Sequence, residues 1–143
     1  MGIASTTVEM NVPAQKAWDA IADFGGILKW APVDDTATIE CQGEGVGMVR
    51  TLYFPGLGTA DERLDVLDHN TMTLVLTITE GLPFGLAEYE ATISVESLGD
   101  DRCACTWRGD FKVPEGASED EAKANLEGAY VGMFGGLSGY LGG

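Results

Sequence analysis

SEDEAKANLEGAYVGMFGGLSGYL, residues 118–141, is the stretch whose reading decides the fold. Pro114, Glu115 and Gly116 interrupt the strand-like pattern ahead of it. Ser118, with Glu121 three residues on, makes a capping box. Glu119, Asp120 and Glu121 place negative charge on the positive end of the helix dipole. Leu126, Tyr130, Met133, Phe134, Leu137, Tyr140 and Leu141 then recur at steps of three and four, which predicts one apolar helix face. At about 1.5 Å per residue such a rod is roughly 36 Å long. It is too one-sided to stand alone and needs a concave surface to lie in. Gly128, Gly132, Gly135, Gly136 and Gly139 interrupt it, each unfavourable by up to about 1 kcal/mol against alanine. Three readings of them are open: close approach of the helix to a sheet, room beside a soft helix for a ligand, or a GxxxG dimer face.

Working outward, the rest of the chain supplies the strands. Ala4, Thr6, Val8, Met10 and Val12 alternate with polar residues over 4–12, a half-buried strand. Pro13 suits a first helical turn, and Ala17, Trp18, Ile21 and Phe24 form the buried stripe of that helix. A short helical turn over 26–30 stops before Pro32. From there to Lys112 the pattern is period two, broken by Gly, Pro, Asp and Asn turns. Strands are expected over 36–42, 47–54, 60–67, 72–78, 89–95 and 103–112. The inward faces are Met48, Arg50, Leu52, Phe54; Glu62, Leu64, Val66; Met72, Leu74, Leu76, Ile78; Tyr89, Ala91, Ile93, Val95; and Cys103, Cys105, Trp107, Phe111. Short turns between successive strands give an antiparallel meander with one covered face, and the 118–141 helix is the cover. The fold class is therefore α+β, a single domain over residues 1–143.

A chain of 143 residues buries about 70% of its unfolded surface and needs no staple. The start, MGIASTTVEM, has neither the basic region nor the apolar run of a secretory leader, so a cytoplasmic location is expected. Cys41, Cys103 and Cys105 are odd in number and lack zinc spacing, which suits small buried hydrophobes in a reducing compartment. Net charge is −15, from 23 acidic against 8 basic residues. This excess argues against nucleic acid and against stable association with a membrane. It also suits a high-salt medium. No HExxH, Walker A or GxGxxG context is present. The only histidine, His69, lies in a polar turn and reads as plain surface, so a Ser-His-Asp triad is not expected. No metal site or cofactor is expected.

Two charged residues point to the covered face, Arg50 and Glu62, on neighbouring strands around one loop. Burying either alone is costly, so pairing is expected. The pair is either a structural ion pair at a cavity wall or a polar handle for a ligand. Of Tyr53 and Tyr89, parity turns Tyr89 inward.

The element order and five strings resemble the START-like or SRPBCC superfamily, the helix-grip fold. The strings are AWDAIADFGGILKWAP (17–32), GVGMVRTL (45–52), ERLDVLD (62–68), EGLPFGLAEYEATISV (80–95) and TWRGDFKVPEGASEDEA (106–122). The likeness spans essentially the whole chain. It is closest to bacterial polyketide cyclase/dehydrase members and extends to the plant abscisic-acid receptors. It implies a seven-stranded sheet curled around the long helix, two short helices after the first strand, and an apolar cavity between sheet and helix. It also implies a gate at Gly56 and Leu57, a latch at Phe84, Gly85 and Leu86, and polar pocket positions at Glu62 and Tyr89. Phe84 and Gly85 replace the latch His and Arg of the receptors, and no lysine stands near Val33 and Asp34. Abscisic acid is accordingly not the expected ligand.

Resemblance and inward parity together give the expected function: binding of a small hydrophobic molecule, of polyketide, lipid or aromatic type. The expected lining is Trp30, Arg50, Leu52, Phe54, Leu57, Glu62, Leu64, Leu76, Ile78, Leu82, Phe84, Leu86, Tyr89, Trp107, Tyr130, Met133, Phe134 and Leu137. The loops 54–59 and 82–87 would act as lids. The rival readings are a cyclase or dehydratase using Glu62, Arg50 and Tyr89 in the same cavity, and an interaction module whose gate loop docks a partner. A monomer or homodimer is expected.

Overall fold

In the computed structural model, which describes all 143 residues, strand β1 (Gly2–Met10) leads into helix α1 (Ala14–Ala22) and a 3-10 turn (Phe24–Lys29). Strands β2 (Thr38–Gln42), β3 (Val49–Phe54), β4 (Gly58–Asp68), β5 (Thr73–Glu80), β6 (Glu88–Gly99) and β7 (Arg102–Lys112) follow. Helix α2 (Glu119–Leu141) ends the chain. The sheet order is β1-β7-β6-β5-β4-β3-β2, with every neighbouring pair antiparallel. Consecutive strands from β2 to β7 are neighbours because short turns join them. β1 completes the sheet by pairing with β7 along its whole length. This is a seven-stranded helix-grip fold.

Helix α2 is held at both ends. The Ser118 side chain accepts the Glu121 backbone N–H at 3.1 Å, and Gly142 closes the other end with φ 80°. A left-handed residue at that position lets the last carbonyls find donors, which glycine does without steric cost. Glu127 accepts the Ser5 backbone N–H at 3.0 Å, and Lys16 donates to the Leu141 carbonyl at 3.2 Å. These bonds tie α2 to β1 and α1. Ala122, Leu126, Tyr130, Phe134 and Leu137 form its buried stripe. Tyr140, read as part of that stripe, is 54% exposed, while Leu141 beside it packs against the core. No helix of the chain is long and apolar enough to cross a membrane.

Three expectations shift by a few residues. The first strand spans Gly2–Met10 rather than 4–12, and Pro13 is the residue before α1, with ψ 142°, not part of its first turn. The short turn begins at Phe24 rather than Gly26. In β4, a register shift between Leu64 and Val66 reverses the alternation. Val66 is consequently 42% exposed, and Leu67 returns to pack against the core. A bulge inserts one residue on one strand only, so every side chain beyond it changes face.

His69 does more than sit on the surface. It is exposed, yet its Nδ1 accepts the indole N–H of the fully buried Trp18 at 3.0 Å, with the rings edge to face. Cys103 and Cys105 are buried and Cys41 is exposed. Burial pushes the Cys105 thiol up to about 12. At about pH 8, then, only Cys41 is expected to react with an aromatic disulfide reagent, the other two thiols following only on unfolding. Reaction of a second thiol in the folded protein would contradict this packing. Since the folded value of Cys105 lies above an unfolded value of about 8.5, its contribution to stability is intact below that pH. It fades as pH rises toward about 12.

Candidate functional site

Between the curled sheet and α2 lies a cavity of about 380 Å³. Its size falls at the low end of small-molecule sites, which run from about 300 to 1,000 Å³. The sheet wall is built by alternation. Arg50, Leu52 and Phe54 come from β3, Ala60 and Glu62 from β4, Leu76 and Ile78 from β5, with Tyr89 from β6 and Trp107 from β7. Helix α2 supplies Leu126, Ala129, Tyr130, Gly132 and Met133. The loop after β3 adds Pro55 and Leu57, and the loop after β5 adds Gly81, Pro83 and Phe84. Ile27, Pro32 and Val33 close the remaining side.

Leu57 and Phe84 line the cavity while being 50% and 40% exposed, so they stand at its mouth. Phe84 has φ 54° and ψ 25°. For a bulky residue that left-handed conformation is strained, by an amount on the order of 1–3 kcal/mol.

Only two polar clusters reach the lining from the sheet and helix. The first is Arg50 with Glu62, which are register partners directly across β3 and β4. Arg50 is 3% exposed. Its Nε and Nη2 donate to Glu62 Oε1 at 2.7 and 2.6 Å, and its Nη1 donates to the Phe24 carbonyl at 2.8 Å. The guanidinium also lies 3.7 Å above the centre of the Phe24 ring, a cation–π contact that suits a desolvated charge. Phe24 therefore receives the cation with both its ring and its backbone.

The second cluster is aromatic. The Tyr89 and Tyr130 hydroxyls are 2.5 Å apart, and the Trp107 indole N–H donates to the Tyr89 oxygen at 3.3 Å. Trp107 stacks on Tyr130 with ring centres 5.1 Å apart. Burial, and then the neighbouring Tyr130, push the Tyr89 hydroxyl well above the usual phenol value; burial does the same to Tyr130. Both are held as neutral phenols. Gly109 makes room for them: a Cβ there would stand 2.1 Å from the Tyr130 oxygen and 2.9 Å from the Tyr89 ring. Glu62 pairs with Ile78, and Thr77 pairs with Glu90, so Glu62 and Tyr89 sit at about one level of the sheet with β5 between them. Two strand spacings put their backbones roughly 10 Å apart.

Six residues expected in the lining stand outside it. Leu64, Phe134 and Leu137 are fully buried in close-packed core, with Phe134 edge-on to Trp107. Leu86 is buried in the core. Leu82 borders a separate depression beside Thr77 and Lys112. Trp30 is buried next to another depression, edged by Lys16 and Asp23, and its indole N–H has no partner. Conversely, Ala60 and Leu126 line the cavity and were legible, since they share the parity of Glu62 and the stripe of Tyr130. Ile27, Pro32 and Val33 come from irregular chain, which has no period to read.

Comparison with known proteins agrees with this architecture. No curated protein matches the chain by sequence. Among solved structures, XoxI from Bacillus cereus is 25% identical with a TM-score of 0.86, covering 99% of this chain and 96% of that one. Norcoclaurine synthase from Thalictrum flavum, in complex with dopamine and hydroxybenzaldehyde, is 22% identical with a TM-score of 0.74, over 96% and 84% of the two chains. The Zhui aromatase/cyclase from Streptomyces sp. R1128 is 20% identical with a TM-score of 0.75, over 98% and 90%. At those last two identities the likeness is one of fold. The family described as polyketide cyclase / dehydrase and lipid transport matches residues 1–142, and the chain belongs to it.

Proposed function

We propose that this protein binds a small, mostly apolar molecule in the cavity between sheet and α2. The observation that carries the reading is the lining itself: a 380 Å³ space walled by aliphatic and aromatic side chains, with one buried ion pair and one hydroxyl pair set into it. Apolar walls supply affinity through the area removed from water. A few fixed polar groups supply orientation. Leu57 and Phe84 are the lids, positioned to cover a bound molecule.

Binding to the folded state alone raises stability by about 2.7 kcal/mol at a hundredfold excess over Kd. For a domain of this size that is a melting shift of roughly 8 °C. A panel of polyketides, sterols, fatty acids and aromatic acids is expected to contain at least one member giving such a shift. Ala129→Trp, which fills the cavity from the helix side, should abolish it. Equal shifts in the filled variant, or none across the panel, would count against the reading.

A cyclase or dehydratase is the second reading, favoured by one feature: Glu62 makes its bonds through Oε1, leaving Oε2 without a protein donor at the cavity wall. A carboxylate so placed can move a proton on a bound substrate. The same fold serves an aromatase/cyclase and a norcoclaurine synthase. Turnover that Glu62→Gln removes while binding persists would decide for the enzyme.

A further inference from the structure

The tyrosine pair at the cavity wall holds one more proton than the protein has acceptors for. Three donors meet there: the Trp107 N–H, the Tyr89 O–H and the Tyr130 O–H. They make two hydrogen bonds, Trp107 to Tyr89 and one between the hydroxyls. Neither hydroxyl makes another bond within the protein. A phenol carries one proton and an indole N–H can only donate. Whichever hydroxyl donates to the other, the proton of its partner has no protein acceptor. Both side chains are buried, and both line the cavity. Burying a donor without an acceptor is costly.

We infer that the bound molecule presents a hydrogen-bond acceptor, a carbonyl or an equivalent bare oxygen, to the spare hydroxyl proton of the Tyr89–Tyr130 pair. The inference rests on the cavity-binding reading and narrows it to apolar molecules with an exposed acceptor oxygen, such as ketones, enones, quinones and esters, against hydrocarbons and N–H donors of the same shape.

Two further observations point the same way. The spare proton sits at the end of a chain that begins at the Trp107 indole, and each bond in such a chain polarises the next, making the terminal hydroxyl a better donor. Burial keeps both phenols protonated, so the pair donates and does not take up a proton. The Arg50 cluster also holds unused donors. Of the five guanidinium N–H groups, three are committed to Glu62 and Phe24. Two guanidinium N–H groups are thus uncommitted at the lining, beside the free Glu62 Oε2.

Three isosteres test this on the full-length protein by calorimetry: fluorene with a methylene, fluorenone with a carbonyl, and carbazole with an N–H at the same position. Fluorenone is expected to bind about tenfold more tightly than fluorene, with carbazole no tighter than fluorene. The carbonyl stretch of bound fluorenone should move to lower frequency. In the Tyr89→Phe/Tyr130→Phe variant, the preference for fluorenone should fall at least about threefold, since at that position only the Trp107 N–H remains. Equal affinity for fluorene and fluorenone, or carbazole matching fluorenone, would overturn the inference while leaving cavity binding intact. Full retention of the preference in the double variant would overturn its assignment to the tyrosines. Failure of all three to bind would overturn the cavity reading and this inference together.

Discussion

Replacing Glu62 with alanine is expected to lower the unfolding free energy by about 3–5 kcal/mol, a large share of the roughly 5–15 kcal/mol typical of a domain. The effect comes from Arg50, not from the lost contact. The Arg50 side chain is 4% exposed, and Glu62 is its only ionic partner. Guanidinium does not shed its proton to escape a dry site, as a lysine can. Without Glu62 the charge keeps only the Phe24 carbonyl and the Phe24 ring. Replacing both members, Arg50→Met with Glu62→Leu, removes the charge along with its need, so most of the loss should return. Urea unfolding followed by tryptophan fluorescence measures both. A Glu62→Ala cost under about 1 kcal/mol, or a double variant as damaged as the single, would show the pair to be water-screened and not a desolvated polar group of the cavity wall.

That ion pair was legible in the sequence because strand parity is binary. Two opposite charges on the apolar parity of adjacent strands have to meet. The sequence also carried the seven strands, the hairpin succession of the last six and the capped helix, since each rests on local periodicity or on a turn; the pairing of β1 with β7 rests on neither. Val66 shows where parity stops: a bulge needs one strand to be compared with its partner, and nothing within 60–67 announces it. Phe134 and Leu137 show a second boundary. They share a helix face with Tyr130, but whether a residue on that face meets a void or a neighbour depends on how the sheet curls at that height. The hydroxyl contact between Tyr89 and Tyr130, 41 residues apart, is likewise a product of tertiary packing. Gly109, which leaves room for it, carries nothing in the strand pattern that names its neighbours.

The glycines of α2 divide the three readings given to them, and they carry the second large effect. Gly136→Ala is expected to cost about 2–3 kcal/mol, while Gly135→Ala, one residue earlier, should gain about 0.5–1 kcal/mol. At Gly136 a Cβ would stand 2.6 Å from the Trp30 carbonyl oxygen and 2.8 Å from the Pro32 ring. Both neighbours belong to backbone or to a rigid ring, so relief requires moving the segment that carries Pro32 and Val33, which line the cavity. At Gly135 a Cβ meets nothing within 4 Å, and the same holds at Gly128, Gly132 and Gly139. There the alanine gains helix propensity and removes freedom from the unfolded chain without a steric cost. Close packing thus accounts for one glycine of the five, and Gly132 borders the cavity, where its missing side chain leaves space. Opposite signs at adjacent positions are a demanding test, because a generic effect of adding a methyl group would move both variants the same way. Thermal or urea unfolding of the two single variants measures it. Destabilisation at both positions would mean that α2 lies closer to its surroundings along its whole length, and the space assigned to a ligand would shrink accordingly.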